Sequence, residues 1–299
     1  MIHEVDISLE RIKKYEKIMH DVEQMLENYS KDKALALQEQ VAELEAYYTS
    51  DEWKYDYELD EAGNLPKDMK RGVLSQDGIY NLLERYNEIK EKKTMKVLII
   101  NGSPRVDGNT TVAVNEMVKV FEDEGIEVEV VQIGNKDVRG CIACGTCYKK
   151  GKCVFDDVVN ELAPKFEASD GLVVASPVYY SSANATLIAC LDRLFYSTHF
   201  DKTMKVGASV VVARRGGLSA TFDELNKYFT ICGMPLASSQ YWNSVHGREK
   251  GEAKQDAEGL QTMRVLARNM SFLIKSIALG KDKYGLPQKE EWQATHFIR

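Results

Sequence analysis

Residues 95–117 read MKVLIINGSPRVDGNTTVAVNEM. Val97 to Ile100 form a short, largely β-branched apolar run of the kind buried on both faces of a parallel sheet. A small polar loop, Gly102 to Thr111, follows at once. Val112, Val114, Met117, Val118 and Phe121 then recur at helical spacing. A strand, a polar loop and a helix N-terminus bring backbone N–H groups and the positive end of the helix dipole to one point, which suits a phosphate. Ser103, Asn109, Thr110 and Thr111 add donors, and Arg105 adds a charge. The loop is neither GxxxxGK[ST] nor GxGxxG, which disfavours ATP and a dinucleotide on it. The plain alternative is an ordinary strand-to-helix turn.

Strand and helix signals alternate from there on. Ile126 to Ile133 reads as a strand and Val158 to Phe166 as a helix. Gly171 to Ala175 is a third strand, running into Ser176-Pro177-Val178-Tyr179-Tyr180-Ser181-Ser182-Ala183-Asn184. A helix over Ala185 to Tyr196 and a strand over Val206 to Ala213 follow, the latter ending in Arg214-Arg215-Gly216-Gly217. A helix over Thr221 to Ile231, a short strand near Leu236 to Gln240 and a long helix over Gln255 to Ala278 complete the pattern. Five strands alternating with helices predict an α/β fold, a doubly wound five-stranded parallel sheet. Ligands of such sheets sit beyond the carboxyl ends of the strands. The unusual loops are those after strands one, three and four.

Residues 1–94 differ in kind. They carry a net charge of −8, against +1 for residues 95–299, and hold none of the six cysteines. That shift predicts two domains, 1–94 and 95–299, joined near Glu91-Lys92-Lys93-Thr94. Ser8 to Asn28 has an amphipathic stripe of Ile12, Tyr15, Ile18, Met19, Val22, Met25 and Leu26. Leu35 to Tyr48 continues as a second helix. After a loop at Gly63-Asn64-Leu65-Pro66, Ser75 caps a third helix whose apolar face is Tyr80, Leu82, Leu83, Tyr86 and Ile89. The acidic run Asp51, Glu52, Asp56, Glu58, Asp60 and Glu61 lacks calcium-loop spacing and reads as a solvated face. The stripe Tyr47, Tyr48, Trp53, Tyr55, Tyr57 reads as core or interface.

A formal net charge of −7 disfavours nucleic acid as a partner. No apolar run approaches the ~20 residues of a membrane span. The first residues mix charges and lack a signal-peptide core, so a cytoplasmic protein is expected. Cys141, Cys144, Cys147 and Cys153 form C-x2-C-x2-C-x5-C on a loop loosened by Gly140, Gly145 and Gly151. Such spacing suits a [4Fe–4S] cluster. A structural zinc, a redox dithiol and a metal-free loop remain alternatives. Cys190 and Cys232 read as inert buried thiols.

GSPRVDGNTT, then SPVYY leading into Leu191-Asp192-Arg193, then ARRGG resembles the NADPH-dependent FMN reductase family of flavodoxin-like proteins. The cysteine spacing resembles the archaeal iron–sulfur flavoproteins, and residues 1–94 resemble small helical domains fused to flavin reductases. The resemblance implies an FMN phosphate on Ser103, Arg105, Asn109, Thr110 and Thr111. It implies an isoalloxazine ring lined by Pro177, Val178, Tyr179 and Tyr180, with Arg214, Gly216 and Gly217 at its pyrimidine edge. NADPH or NADH would reduce the flavin, which carries the chemistry itself, so no catalytic acid–base residue is expected. A flavin, a quinone, another small molecule or a cysteine-bound iron–sulfur cluster would accept the electrons. A homo-oligomer, dimer or tetramer, is expected, with Trp242 as an interface anchor. The second functional class is a non-enzymatic electron carrier or redox sensor whose helical domain docks a partner. Plain packing is the alternative for Tyr179 and Tyr180, and a surface salt bridge is expected of Asp192-Arg193. His246 is expected to serve a backbone hydrogen bond rather than proton transfer.

Overall fold

A computed structural model describes residues 2–28, 34–91, 94–291 and 293–295. Backbone contacts divide the chain into two units, Met1–Lys93 and Thr94–Arg299. Lys92 and Lys93 of the expected joint lie outside the described residues, as does the side chain of Ile89.

The second unit is built on β1 (Lys96–Asn101), β2 (Glu127–Gln132), β3 (Gly171–Tyr179), β4 (Ser182–Ala183), β5 (Val206–Ala213) and β6 (Ser244–His246). The parallel strands run in the order β2-β1-β3-β5-β6, with β4 paired antiparallel to β3. Counting only the parallel strands this is 2-1-3-4-5, the flavodoxin-like order. The period-two geometry of β1 explains why a nearly unbroken apolar run is needed. Val97 and Ile99 face a core shared with α5 (Asn109–Asp123) and α10 (Ala257–Tyr284). Leu98 and Ile100 face the opposite core, built with α7 (Val158–Ala168), α8 (Ala185–Ser197) and α9 (Leu218–Thr230). Each such side chain, fully buried, contributes roughly 1.5–3 kcal/mol.

The last strand is not where periodicity places it. Residues 236–240 make only an isolated bridge, Gly207 to Leu236, and regular pairing resumes at Ser244. Between these points the Ser239 hydroxyl takes over the local hydrogen bonding. It accepts from the Tyr241 N–H at 3.4 Å and donates to Asn243 Oδ1 at 2.7 Å. A serine that bonds its own neighbourhood competes with the ladder, so the chain bulges out and pairs later. A short helix, α6 (Thr146–Lys150), also lies within the cysteine loop.

Among its described residues the first unit has the α-helices α1 (Ile2–Glu27), α2 (Ala34–Tyr48), α3 (Asp51–Glu61) and α4 (Gln76–Glu91). The α3 helix falls on the acidic run. Its cap is Ser50, whose side chain accepts the Trp53 N–H at 3.1 Å, and Asp51 and Glu52 favour its positive end. Asp56 corrects the solvated-face reading, because it is fully buried. Arg11 donates to both its oxygens, at 2.7 and 2.6 Å, and the Tyr47 hydroxyl donates at 2.8 Å. Tyr47 also stacks on Tyr15 with centroids 3.8 Å apart, so three helices meet at one ion pair. Trp53 is buried and donates from Nε1 to the Val73 carbonyl, whereas Tyr55 is exposed.

Candidate functional site

Strand register decides which loops share an edge. Asn101 pairs with Ala175, Pro177 with Val212, and Ala213 with His246. The connections after β1, β3, β5 and β6 therefore leave from one side of the sheet.

Asn101, at the end of β1, is buried and organises the first of them. Its Oδ1 accepts the Ser103 N–H at 3.0 Å, and its Nδ2 donates to Thr111 Oγ1 at 3.2 Å. Ser103 Oγ in turn accepts the Arg105 N–H at 3.2 Å. The α5 helix begins after Gly108, which supplies no side-chain cap. The first-turn N–H groups are thus not spent on a capping side chain. Ser103 and Thr110 are buried against this turn, and Arg105 is exposed. Gly134 holds the loop from behind, since a Cβ there would run into the Gly102 carbonyl and the Ser103 backbone.

Asn109 behaves differently from its neighbours. Its amide donates to the Glu249 carbonyl at 2.9 Å, and its Oδ1 accepts the Ala253 N–H at 3.1 Å. With the Lys250–Asp107 ion pair, this lays residues 247–253 against the 103–109 loop. Sequence reasoning missed both that strap and Asn101. The polar Asn101 ending an apolar strand was the visible signal for the latter.

The loop after β3 is a two-residue hairpin. Tyr180 and Ser181 have φ of +50° and +61° without glycine, the left-handed geometry of a type I′ turn. Non-glycine residues held there are strained, and such strain gathers at functional sites. Two clamps hold the turn. Ser176 Oγ accepts the Asn184 N–H at 2.9 Å, and the Glu224 carboxylate accepts from Ser182 Oγ and the Ala183 N–H. Tyr180 consequently stands fully exposed and Tyr179 about half so. Gly217, at φ +84°, meets this hairpin from the loop after β5. A Cβ there would lie 2.8 Å from Ser181 Cα. Arg214 and Arg215 are exposed and, like Arg105, pair with no carboxylate among the described residues. Pro177, Val178 and Gly216 complete these two loops. His246 ends β6, and its backbone N–H donates to Asp256 at 2.6 Å. Trp242 is exposed and packs on Tyr241 with centroids 4.9 Å apart.

The four cysteines of the 141–153 loop rim one small concavity with Phe155, Arg193 and Tyr196. Ala143, at φ +53°, and Gly145 and Gly151, both at +67°, bend the backbone around it. Cys141 and Cys144 are exposed, Cys147 is buried and Cys153 is half-buried. The Ala143 N–H donates to Cys141 Sγ at 3.4 Å. The Thr146 hydroxyl and backbone N–H hold the Cys144 thiol below its ordinary range. Among the described residues, no three His, Cys, Asp or Glu side chains converge on a single metal ion. Tyr148, Tyr196 and His199 cluster beside the loop, with the two hydroxyls 2.6 Å apart and His199 Nε2 donating to the Cys147 carbonyl. Away from the loop, Cys190 is fully buried and its thiol is pushed up to about 12 by that burial. Cys232 is only half-buried, which corrects half of the reading of those two thiols.

Arg193 is a second correction. It is 1% exposed, and its ion-pair partner is Asp157 rather than the adjacent Asp192. Asp192 instead accepts the Tyr228 hydroxyl at 2.5 Å. On α8 the side chain of Arg193 points into the core while that of Asp192 points away, as neighbours 100° apart on a helix do.

Strand order and the phosphate-type loop define a flavodoxin-like protein. The chain belongs to the NADPH-dependent FMN reductase family, whose profile matches residues 95–249; a domain-of-unknown-function profile matches residues 8–95. It is accordingly a flavoprotein of oxidoreductase type. An iron–sulfur flavoprotein of Methanocaldococcus jannaschii is 35% identical over 191 residues, spanning 61% of this chain and 99% of the relative. One of Methanosarcina thermophila is 33% identical over 193 residues, spanning 63% of this chain and all of the relative. The solved structure of RosB with bound 8-demethyl-8-formylriboflavin-5'-phosphate shares the fold, with a TM-score of 0.51 and 18% identity over 69% of this chain and 94% of that one. Among the described residues, no helix is long and apolar enough to cross a membrane.

Proposed function

We propose that the chain takes hydride from NADPH or NADH onto FMN and passes the electrons to a small-molecule acceptor, with a [4Fe–4S] cluster on Cys141, Cys144, Cys147 and Cys153 as an intermediate carrier. The observation that carries this reading is the N-terminus of α5, which has no side-chain cap and follows directly on the Ser103 to Gly108 loop. Backbone N–H groups, the hydroxyls of Ser103, Thr110 and Thr111 and the Arg105 guanidinium would hold a phosphate there. Asn109 contributes its N–H, because its amide is committed to residues 249 and 253.

When bound, FMN supplies the redox chemistry, hydride uptake and electron release. The protein's task is orientation. Pro177, Val178, Tyr179 and Tyr180 wall the ring, with the clamped hairpin keeping Tyr179 in place. Arg214, Gly216 and Gly217 bring a charge and close backbone to its pyrimidine edge, where donors favour added negative charge. The exposed Arg215 beside them adds attraction for an anionic dinucleotide. Four cysteines lining one concavity would give each iron of such a cluster one thiolate. Tyr241 and Trp242 offer an anchor for a homo-oligomer.

Anaerobic stopped-flow mixing with NADPH, together with an iron and acid-labile sulfide assay, tests the reading. Flavin bleaching within milliseconds, with about four irons and four sulfides per chain, is expected. Reduction by dithionite alone would make the protein a carrier, and a colourless protein that ignores added FMN would end the proposal.

A further inference from the structure

We propose that Arg193 is a positioning residue of the cysteine loop, gripping the Cys153 sulfur through two N–H···S hydrogen bonds and making the redox centre there easier to reduce. This rests on the cluster reading given above.

The side chain has five N–H donors, and all are spent. Two go to Asp157, at 2.7 and 2.9 Å, and one to the Arg139 carbonyl at 3.2 Å. The remaining two reach Cys153 Sγ, at 3.3 Å from Nε and 3.2 Å from the terminal nitrogen. Its guanidinium also lies 5.1 Å from the centre of the Phe155 ring. Burying a guanidinium is costly, and a bidentate carboxylate is the usual compensation. The two bonds to sulfur go beyond that compensation. Cys153 is independently held at its backbone, where Asn160 accepts its N–H at 3.0 Å and donates to its carbonyl at 3.1 Å. Cys153 is therefore fixed at both backbone and sulfur, while Cys141 and Cys144 lie exposed. Hydrogen bonds to the sulfurs are among the determinants of cluster potential. A buried cation donating to a thiolate favours the state carrying one more electron. That step is a one-electron reduction with no bond made or broken.

The test compares R193K, R193Q and the R193Q/D157N pair, which leaves no carboxylate without its partner, in the full-length protein after anaerobic reconstitution. Bound FMN per chain reports folding of the same unit. Dithionite titration followed by electron paramagnetic resonance gives the midpoint. R193Q should shift the reduction equilibrium at least tenfold toward the oxidised form, about 59 mV for one electron. R193K, which keeps the charge but loses the fork, should fall between R193Q and the wild type. An FMN-replete variant that cannot retain iron also supports the assignment. FMN-replete variants with wild-type midpoints overturn it, as does loss of FMN in all three, which would mark a residue of the fold alone. A wild-type protein that takes up no iron and sulfide overturns the cluster reading itself, and the proposal with it.

Discussion

Two guanidinium–carboxylate pairs, one in each unit, look alike and serve different ends. Arg11 and Asp56 tie α1 to α3, with the acid fully buried and the base nearer the surface. Every donor on that carboxylate, from Arg11 and Tyr47, belongs to the helical core. Arg193 and Asp157 reverse the burial, with the base at 1% exposure and the acid at 23%. There the buried partner keeps two donors for a sulfur. A buried charge whose donors all return to the packing is a device of the fold, and one that reaches a reactive atom is a device of a site.

The largest effect should come from breaking the first pair. D56A strands Arg11 and the Tyr47 hydroxyl and should cost roughly 3–5 kcal/mol, read as a lower urea midpoint at unchanged m. Replacing the whole network with apolar residues, R11M/D56L/Y47F, should be neutral or add up to about 4 kcal/mol of stability, because nothing outside the core uses it. A triple variant as unstable as D56A would break the comparison. The site side can be sharpened at Arg105, which pairs with no carboxylate among the described residues. R105A should raise the FMN Kd about tenfold, near 1.4 kcal/mol, with little change in the unfolding midpoint of the FMN-free protein. Calorimetric titration with FMN checks this, and an equal loss of stability would place Arg105 with the fold.

The smallest effect concerns Cys190, buried and far from ionising. Its folded value of about 12 lies above the ordinary thiol value, so the folded state binds the proton more tightly. Its contribution to stability is complete below the unfolded pKa, near 8.5, and declines as pH rises toward about 12. C190A should flatten that alkaline decline in an unfolding series, whereas a variant of exposed Cys144 should leave it unchanged.

Much of the α/β unit was legible because its signals are local. Val97 to Ile100, the Gly102 to Thr111 loop and the α5 stripe lie within one continuous stretch, and the strand order then follows from packing rules. The fifth strand was misplaced because Ser239 makes hydrogen bonds that no apolar count registers. The third helix of the first unit was missed because its buried positions are one tryptophan and one aspartate. Binary patterning assigns such an aspartate to solvent. Ser50, three residues before Trp53 and followed by Asp51 and Glu52, was the readable cue.

By itself, the sequence determined the fold class and the grouping of four cysteines, since both depend on neighbours within a turn or a strand. Only the tertiary structure decided which charges are buried and what they hold. Arg11 meets Asp56 across 45 residues, and Arg193 meets Asp157 across 36 and Cys153 across 40. Whether a charge is solvated or buried depends on the partner that folding brings to it, and periodicity along the chain carries no record of that partner.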